Sequence, residues 1–140
     1  MNRIIYQNES GGVAVIIPTG ELPIEEVAAK DVPAGVPYSI VSAADIPSDR
    51  FFRNAWTMGD GCIEHDLDQC KAIGHDIRRT MRAAEFVPFD EIIAKQIPGL
   101  DAAEAEANRQ TIRDKYADIQ LVIDAASDPD AIKLALEVTP

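Results

Sequence analysis

Residues 3–17, RIIYQNESGGVAVII, decide the first half of the fold. Arg3 to Gln7 is β-branched and aromatic, and Val13 to Ile17 is wholly apolar. Asn8-Glu9-Ser10-Gly11-Gly12 between them is turn chemistry, so the stretch reads as a β-hairpin. Its second strand is apolar on both faces, so one face is expected to meet a core and the other another element or another chain. Pro18 ends that strand. Pro23 to Lys30 reads as a short helix, with proline at its start, Glu25 and Glu26 in its first turn and Lys30 at its end, as the helix dipole favours. Tyr38-Ser39-Ile40-Val41, framed by Pro33, Gly35, Pro37 and Pro47, reads as a third strand. A small three-stranded antiparallel sheet is expected.

After Asp66 the period changes. Leu67, Cys70, Ile73, Ile77, Met81 and Ala84 recur three and four residues apart, which predicts an amphipathic helix to about Val87. Arg78, Arg79 and Arg82 fall elsewhere on its circumference and read as a solvated face, paired internally with Asp76 or Glu85. Pro88 is expected to break or kink the helix, with Phe89 to Ile97 continuing as a short helix up to Pro98-Gly99. Asp101 suits the N-cap of a helix over Ala102 to Ala126, where Ala105, Arg109, Ile112, Tyr116, Ile119, Ile123 and Ala126 form a heptad-like seam. Asp128 suits the cap of a last helix, Pro129 to Glu137, whose Ile132, Leu134, Ala135 and Leu136 give it an apolar face. The expected class is therefore α+β: a small N-terminal antiparallel β-sheet, then a C-terminal helical hairpin with a short terminal helix. A β-rich part over 1–60 and a helical part over 61–140 would form one cooperative unit or two loosely coupled subdomains. In the hairpin, Ile112, Tyr116, Ile119 and Ile123 are expected to pack on Ile73, Ile77 and Met81.

The composition narrows the function classes. With 46% hydrophobic and 26% charged residues in 140, the chain has the makeup of a globular protein rather than a disordered one. Its 13 Lys plus Arg against 24 Asp plus Glu give a formal charge of -11, which repels phosphate backbones and argues against general nucleic-acid binding. No window approaches the roughly 18 to 20 apolar residues that cross a bilayer, and the opening MNRIIYQNES lacks a leader's apolar core, so residence in the cytoplasm is expected. Cys62 and Cys70 are too few for a disulfide framework and are expected as thiols.

Candidate chemistry is sparse. Cys62, His65, Cys70 and His75 have the intervals of a zinc knuckle but the order Cys, His, Cys, His, and the second half lies on a predicted helix. Five residues apart on a helix, Cys70 and His75 point about 140° from one another and cannot converge on a tetrahedral ion. No zinc site is expected, with Cys70 a small core residue and both histidines at the surface. The His65-Asp66 and His75-Asp76 pairs resemble those of metal-dependent phosphohydrolases, but two histidines in the whole chain cannot supply the remaining ligands. Gly11-Gly12 and Gly59-Asp60-Gly61 lack the Lys and helix start of a phosphate loop. Neither a catalytic residue, a cofactor nor a small-molecule substrate is expected. The aromatic segment Phe51-Phe52-Arg53-Asn54-Ala55-Trp56 is expected to seal the join between sheet and helices and to expose part of itself for docking. Phe51, Phe52 and Trp56, with Ile112, Tyr116, Ile119 and Ile123, are the candidate protein-interaction residues.

The stretches DVPAGVPY (31–38), DIPSDR (45–50) and FRNAW (52–56), with the opening RIIY (3–6) and GVAVIIP (12–18), resemble small proteins encoded among the tail genes of tailed bacteriophages. The Ile112-Arg113-Asp114 step in the last long helix is similar to theirs too, whereas the Cys62 to Gly74 segment departs from their pattern. The resemblance implies a non-enzymatic tail assembly chaperone or tail-fibre-associated protein, acting in the host cytoplasm, and in the virion tail if retained there. Its implied partner is another tail protein or a second copy of the chain. A structural subunit of the tail and an acidic inhibitor of a host defence enzyme are the alternatives.

Overall fold

The computed structural model describes residues 1–96 and 98–137. Strands β1 (Asn2–Gln7), β2 (Val13–Ile16) and β3 (Tyr38–Ser42) form an antiparallel sheet in the order β2-β1-β3. The β1–β2 turn closes because Asn8 Oδ1 accepts hydrogen bonds from the backbone N–H of Ser10 (3.1 Å) and of Gly12 (2.9 Å). Between them Gly11 sits at φ +86°, a conformation that costs glycine little.

As the middle strand, β1 buries consecutive residues on opposite faces. Ile4 and Ile5 are both completely buried. On one face Ile4 packs with Ala28 and Val32, contributed by helix α1 (Ile24–Asp31) and the residue that follows it. On the other, Ile5 packs with Val13 and Trp56, flanked by Val15, Val41, Met58 and Ile63. This double cover explains why β2 is apolar on both sides. Trp56 belongs to a second, two-stranded sheet, β4 (Trp56–Met58) paired with β5 (Ile63–His65), which sequence reading missed. Three-residue strands are too short for alternation to register, and only the Gly59-Asp60-Gly61 turn between them stood out.

Helix α2 (Leu67–Lys95) starts under Asp66, whose Oδ1 accepts from the N–H groups of Asp68 and Gln69. It runs through Pro88 as a single helix, so of the two effects expected of that proline the break does not occur. Proline forfeits one backbone bond there, but side-chain ties on both sides of it hold the helix to α3 (Ala102–Ala125). The expected end at Ile97 lies outside the described residues. Asp101 caps α3 through the N–H of Ala103 (2.8 Å), and Asp128 caps α4 (Pro129–Glu137) through that of Ala131 (2.8 Å). The chain divides into two compact units, Met1–Gln69 and a second from Cys70 onward. Among the described residues no helix is long and apolar enough to cross a membrane.

In the second unit, α3 buries Ala105, Ile112, Tyr116, Ile119 and Ile123, followed by Ala126, and α4 buries Ile132, Ala135 and Leu136. The expected stripe on α2 is turned by one residue. Cys70, Gly74 and Arg78 are buried, and Ile73, Ile77 and Met81 are only half-buried. Close approach is the cause, because a Cβ on Gly74 would lie 2.6 Å from Ile132 Cγ2 and 3.7 Å from two methyls of Ile123. On α4, Leu134 stays 62% exposed, since a residue two places from Ile132 points about 200° away from it. The apolar face is narrower than expected.

Alanine at position 74 should thus destabilise the protein despite its better helix propensity. The gain of about 1 kcal/mol is outweighed by overpacking of roughly 1–3 kcal/mol against a β-branched neighbour with nowhere to move. Gly74→Ala should lower the urea midpoint. Adding Ile132→Leu, which removes the Cγ2 methyl at constant volume, should recover part of the loss.

Candidate functional site

Along the α2–α3 seam, polar partners fix an antiparallel register. Lys71 Nζ donates to the Asp124 carbonyl (2.9 Å), placing a cation on one of the last carbonyls of α3. His75 Nε2 lies 2.7 Å from Asp124 Oδ1, and its Nδ1 accepts from Arg78 Nε at 3.3 Å. A ring whose Nδ1 accepts carries its proton on Nε2, so His75 donates to Asp124. Further along, Glu85 Oε1 accepts from Lys115 Nζ (2.7 Å) and from the Tyr116 hydroxyl (2.8 Å), and Arg109 Nε lies 2.9 Å from Asp90.

Two expectations about this helix need correcting. Arg78 is not solvated but buried, and burial together with the charges of Arg79 and Arg82 lowers its pKa, opposed by Asp124. His75 is drawn into the seam rather than lying at the surface, with its side chain 16% exposed. Arg79 does pair with Asp76 at 2.8 Å, and Arg82 stacks over Phe86 at 4.9 Å. The signal for a buried Arg78 was its i, i+4 spacing from Cys70 and Gly74, masked by two exposed arginines nearby.

The seven candidate interaction residues fall in two places. Phe52 and Trp56 are buried within the first unit, while Phe51 is 40% exposed and meets Phe52 edge-on at 4.7 Å. Ile112, Tyr116, Ile119 and Ile123 are buried in the second unit. Part of the apolar surface open to solvent lies on the same helix, α3, and on α4. Leu121, Val122 and Leu134 are 66%, 52% and 62% exposed. Val122 and Leu134, with Ile119, Ala131 and Ala135, line a groove of about 430 Å³ between α3 and α4, whose polar members are Lys115 and Asp118. Sequence reading missed Val122 because the strict four-and-three spacing of the seam left no place for it. An apolar residue in excess of the seam was the available clue.

The groove's own lining carries one Lys and one Asp, whereas the sequence of this stretch is acidic overall. From Asp114 to Glu137 the acids are Asp114, Asp118, Asp124, Asp128, Asp130 and Glu137, against Lys115, already held by Glu85, and Lys133. Among the described residues, no group of three or more His, Cys, Asp or Glu side chains is placed to hold a metal ion. Cys62 is exposed and Cys70 buried, both as thiols. No known protein family, curated protein or solved structure matches the chain.

Burial and the hydrogen bond to Glu85 raise the Tyr116 pKa well above its ordinary value of 10.0. At neutral pH, Tyr116→Phe should cost roughly 1.5–3 kcal/mol through the lost bond to a carboxylate acceptor. Above pH 10 the unfolded phenol ionises while the folded one does not, so the contribution of Tyr116 to stability falls as pH rises. Urea titrations at pH 7 and pH 11 should therefore show the penalty of the variant shrinking or reversing at the higher value.

Proposed function

We propose that the chain is a non-enzymatic, tail-associated protein of a tailed bacteriophage, acting in tail or tail-fibre assembly by holding an amphipathic helix of another tail protein in the α3–α4 groove. The apolar groove with exposed Val122 and Leu134 carries this reading, because a helix-in-groove mode needs an open apolar channel on rigid elements. Covering the exposed shares of these two side chains would contribute roughly 1–2 kcal/mol each. That suits a partner that must be held and later released. The net charge of -11 favours a partner with basic residues beside its apolar face, and opposite charge speeds the encounter. The setting rests on the resemblance of 31–38, 45–50 and 52–56, with 3–6 and 12–18, to tail-gene proteins.

A structural subunit of the virion is the second reading. It is favoured by the exposed Tyr38 and Ile40 on β3 and Ile17 just beyond β2, at the outer strands of the three-stranded sheet.

Calorimetric titration of the full chain against each purified tail protein of the same phage tests the proposal. One of them should bind with a dissociation constant of about 1 μM or tighter. Leu134→Asp should weaken that binding by about tenfold or more, from a charge buried in the groove, with the melting temperature unchanged. Binding unaffected by Leu134→Asp, or no binding to any tail protein, would overturn it. Mass spectrometry of purified particles separates the readings, since an assembly factor should be absent and a subunit present.

A further inference from the structure

The outer strand β3 pairs with β1 along one edge and with no strand along the other. Which backbone groups the open edge presents follows from the register. In an antiparallel ladder, directly opposite residues alternate between pairs that exchange both hydrogen bonds and pairs that exchange none. The β1–β3 register ends with Asn2 opposite Ser42, and its next step sets Met1 opposite Ala43, where the Ala43 N–H donates to the Met1 carbonyl at 2.8 Å. Counting back by twos, the bonded pairs are Arg3 with Val41 and Ile5 with Ser39. The other side of β1 agrees, because the Asn8 N–H donates to the Gly12 carbonyl at 2.9 Å, which turns the groups of Tyr6 and Ile4 towards β2. The N–H and C=O groups of Tyr38, Ile40 and Ser42 therefore point outward, and among the described residues none of them has a hydrogen-bond partner.

Nothing on the strand guards this edge. Native sheets keep edges from pairing with charges, proline or a bulge, and YSIVS (38–42) has no charge and no proline in a chain where 26% of residues are charged. Its side chains are also left out of the core on one face. The cluster around Ile4, Ala28 and Val32 takes in side chains of β1, β2 and α1 and none of β3. Ile40 and Tyr38, which the register puts on that face opposite Ile4 and Tyr6, stay exposed.

A second β3 fits this edge in one register. Laid antiparallel about a twofold axis through Ile40, it sets Ile40 opposite Ile40 and Tyr38 opposite Ser42, so that every outward N–H finds an outward C=O. A shift of one residue would bring in Ser39 and Val41, whose groups are spent on β1. A shift of two would push one outward residue of each copy past the end of the strand. In the matching register Pro37 falls opposite Ala43, outside the paired stretch. From 35 to 45 the sole charge is Asp45, which falls opposite Gly35, so no like charges meet. On the uncovered face Ile40 meets its counterpart, and each Tyr38 lies on the diagonal to the other copy's Ile40.

We infer that two copies of the chain join through β3 into one continuous sheet, in the order β2-β1-β3-β3-β1-β2. The interface is self-complementary, as a twofold dimer requires, and small, so the dimer is weak and forms on concentration. It is independent of the α3–α4 groove.

Sedimentation of the full chain at about 0.15 M salt, which screens repulsion between the copies, should show monomer passing to dimer between about 10 μM and 1 mM. Amide exchange places the contact. At the low concentration the N–H groups of Tyr38, Ile40 and Ser42 should exchange fast while those of Ser39 and Val41 are protected, and at the high one the first three should slow by about tenfold or more. Ile40→Lys sets like charges opposite one another across the axis, on a side chain already open to solvent, so the fold is kept and the dimer should weaken by about tenfold or more. A chain that stays monomeric at the high concentration would leave the edge to an extended segment of another protein and overturn the inference. So would a dimer that Ile40→Lys leaves intact, or one that forms without slowing the three outward amides.

Discussion

A missing side chain governs the second unit. Gly74 has no Cβ, and its place is taken by the γ-methyl of Ile132, so α4 approaches α2 more closely than any other residue at 74 would allow. That approach buries Ile132 completely and leaves Leu134 on the far side of a short helix, beside Val122 of α3. The groove is thus a by-product of tight packing elsewhere. A glycine inside a long helix lowers its propensity, and here tertiary packing compensates for the loss.

The α2–α3 seam combines apolar and ionic contacts in a division of labour. The buried isoleucines of α3 supply most of the free energy, since apolar burial scales with area and is indifferent to register. Partly exposed ion pairs contribute little each, yet Lys71 and His75 at Asp124, Lys115 at Glu85 and Arg109 at Asp90 can all form in only one alignment of two antiparallel helices. They specify the register more than they stabilise it.

Much of this was legible in residue patterns, and the losses have identifiable causes. The β1–β2 hairpin, α1, β3, the aspartate caps of α3 and α4 and the buried positions of α3 follow from turn chemistry, cap residues and spacing, all of which are local. The β4–β5 pair escaped because strands of three residues carry too few positions to show a period. Continuation through Pro88 escaped because partners distant in sequence, Lys115 and Arg109, hold the helix on either side. The burial of Arg78 escaped because which side of a helix faces inward depends on its neighbour, and the close approach at Gly74 rotates the answer by a residue; Leu134 was instead assigned to a face that its own offset of about 200° from Ile132 excludes. A cavity in the first unit draws on Asn8, Arg53, Trp56 and Gln69, four positions that come together only through the fold.

The two thiols give the molecule a built-in timing device. Cys62, in the exposed turn between β4 and β5, offers a thiol that an alkylating reagent reaches in the native state, whereas Cys70 is completely buried. The first should accept a dye or spin label in folded protein, so one unit can be tagged selectively without mutagenesis. The second reacts only during excursions that open the start of α2. The interval between the two modifications, followed by mass, would therefore clock the lifetime of the closed state of the helical unit.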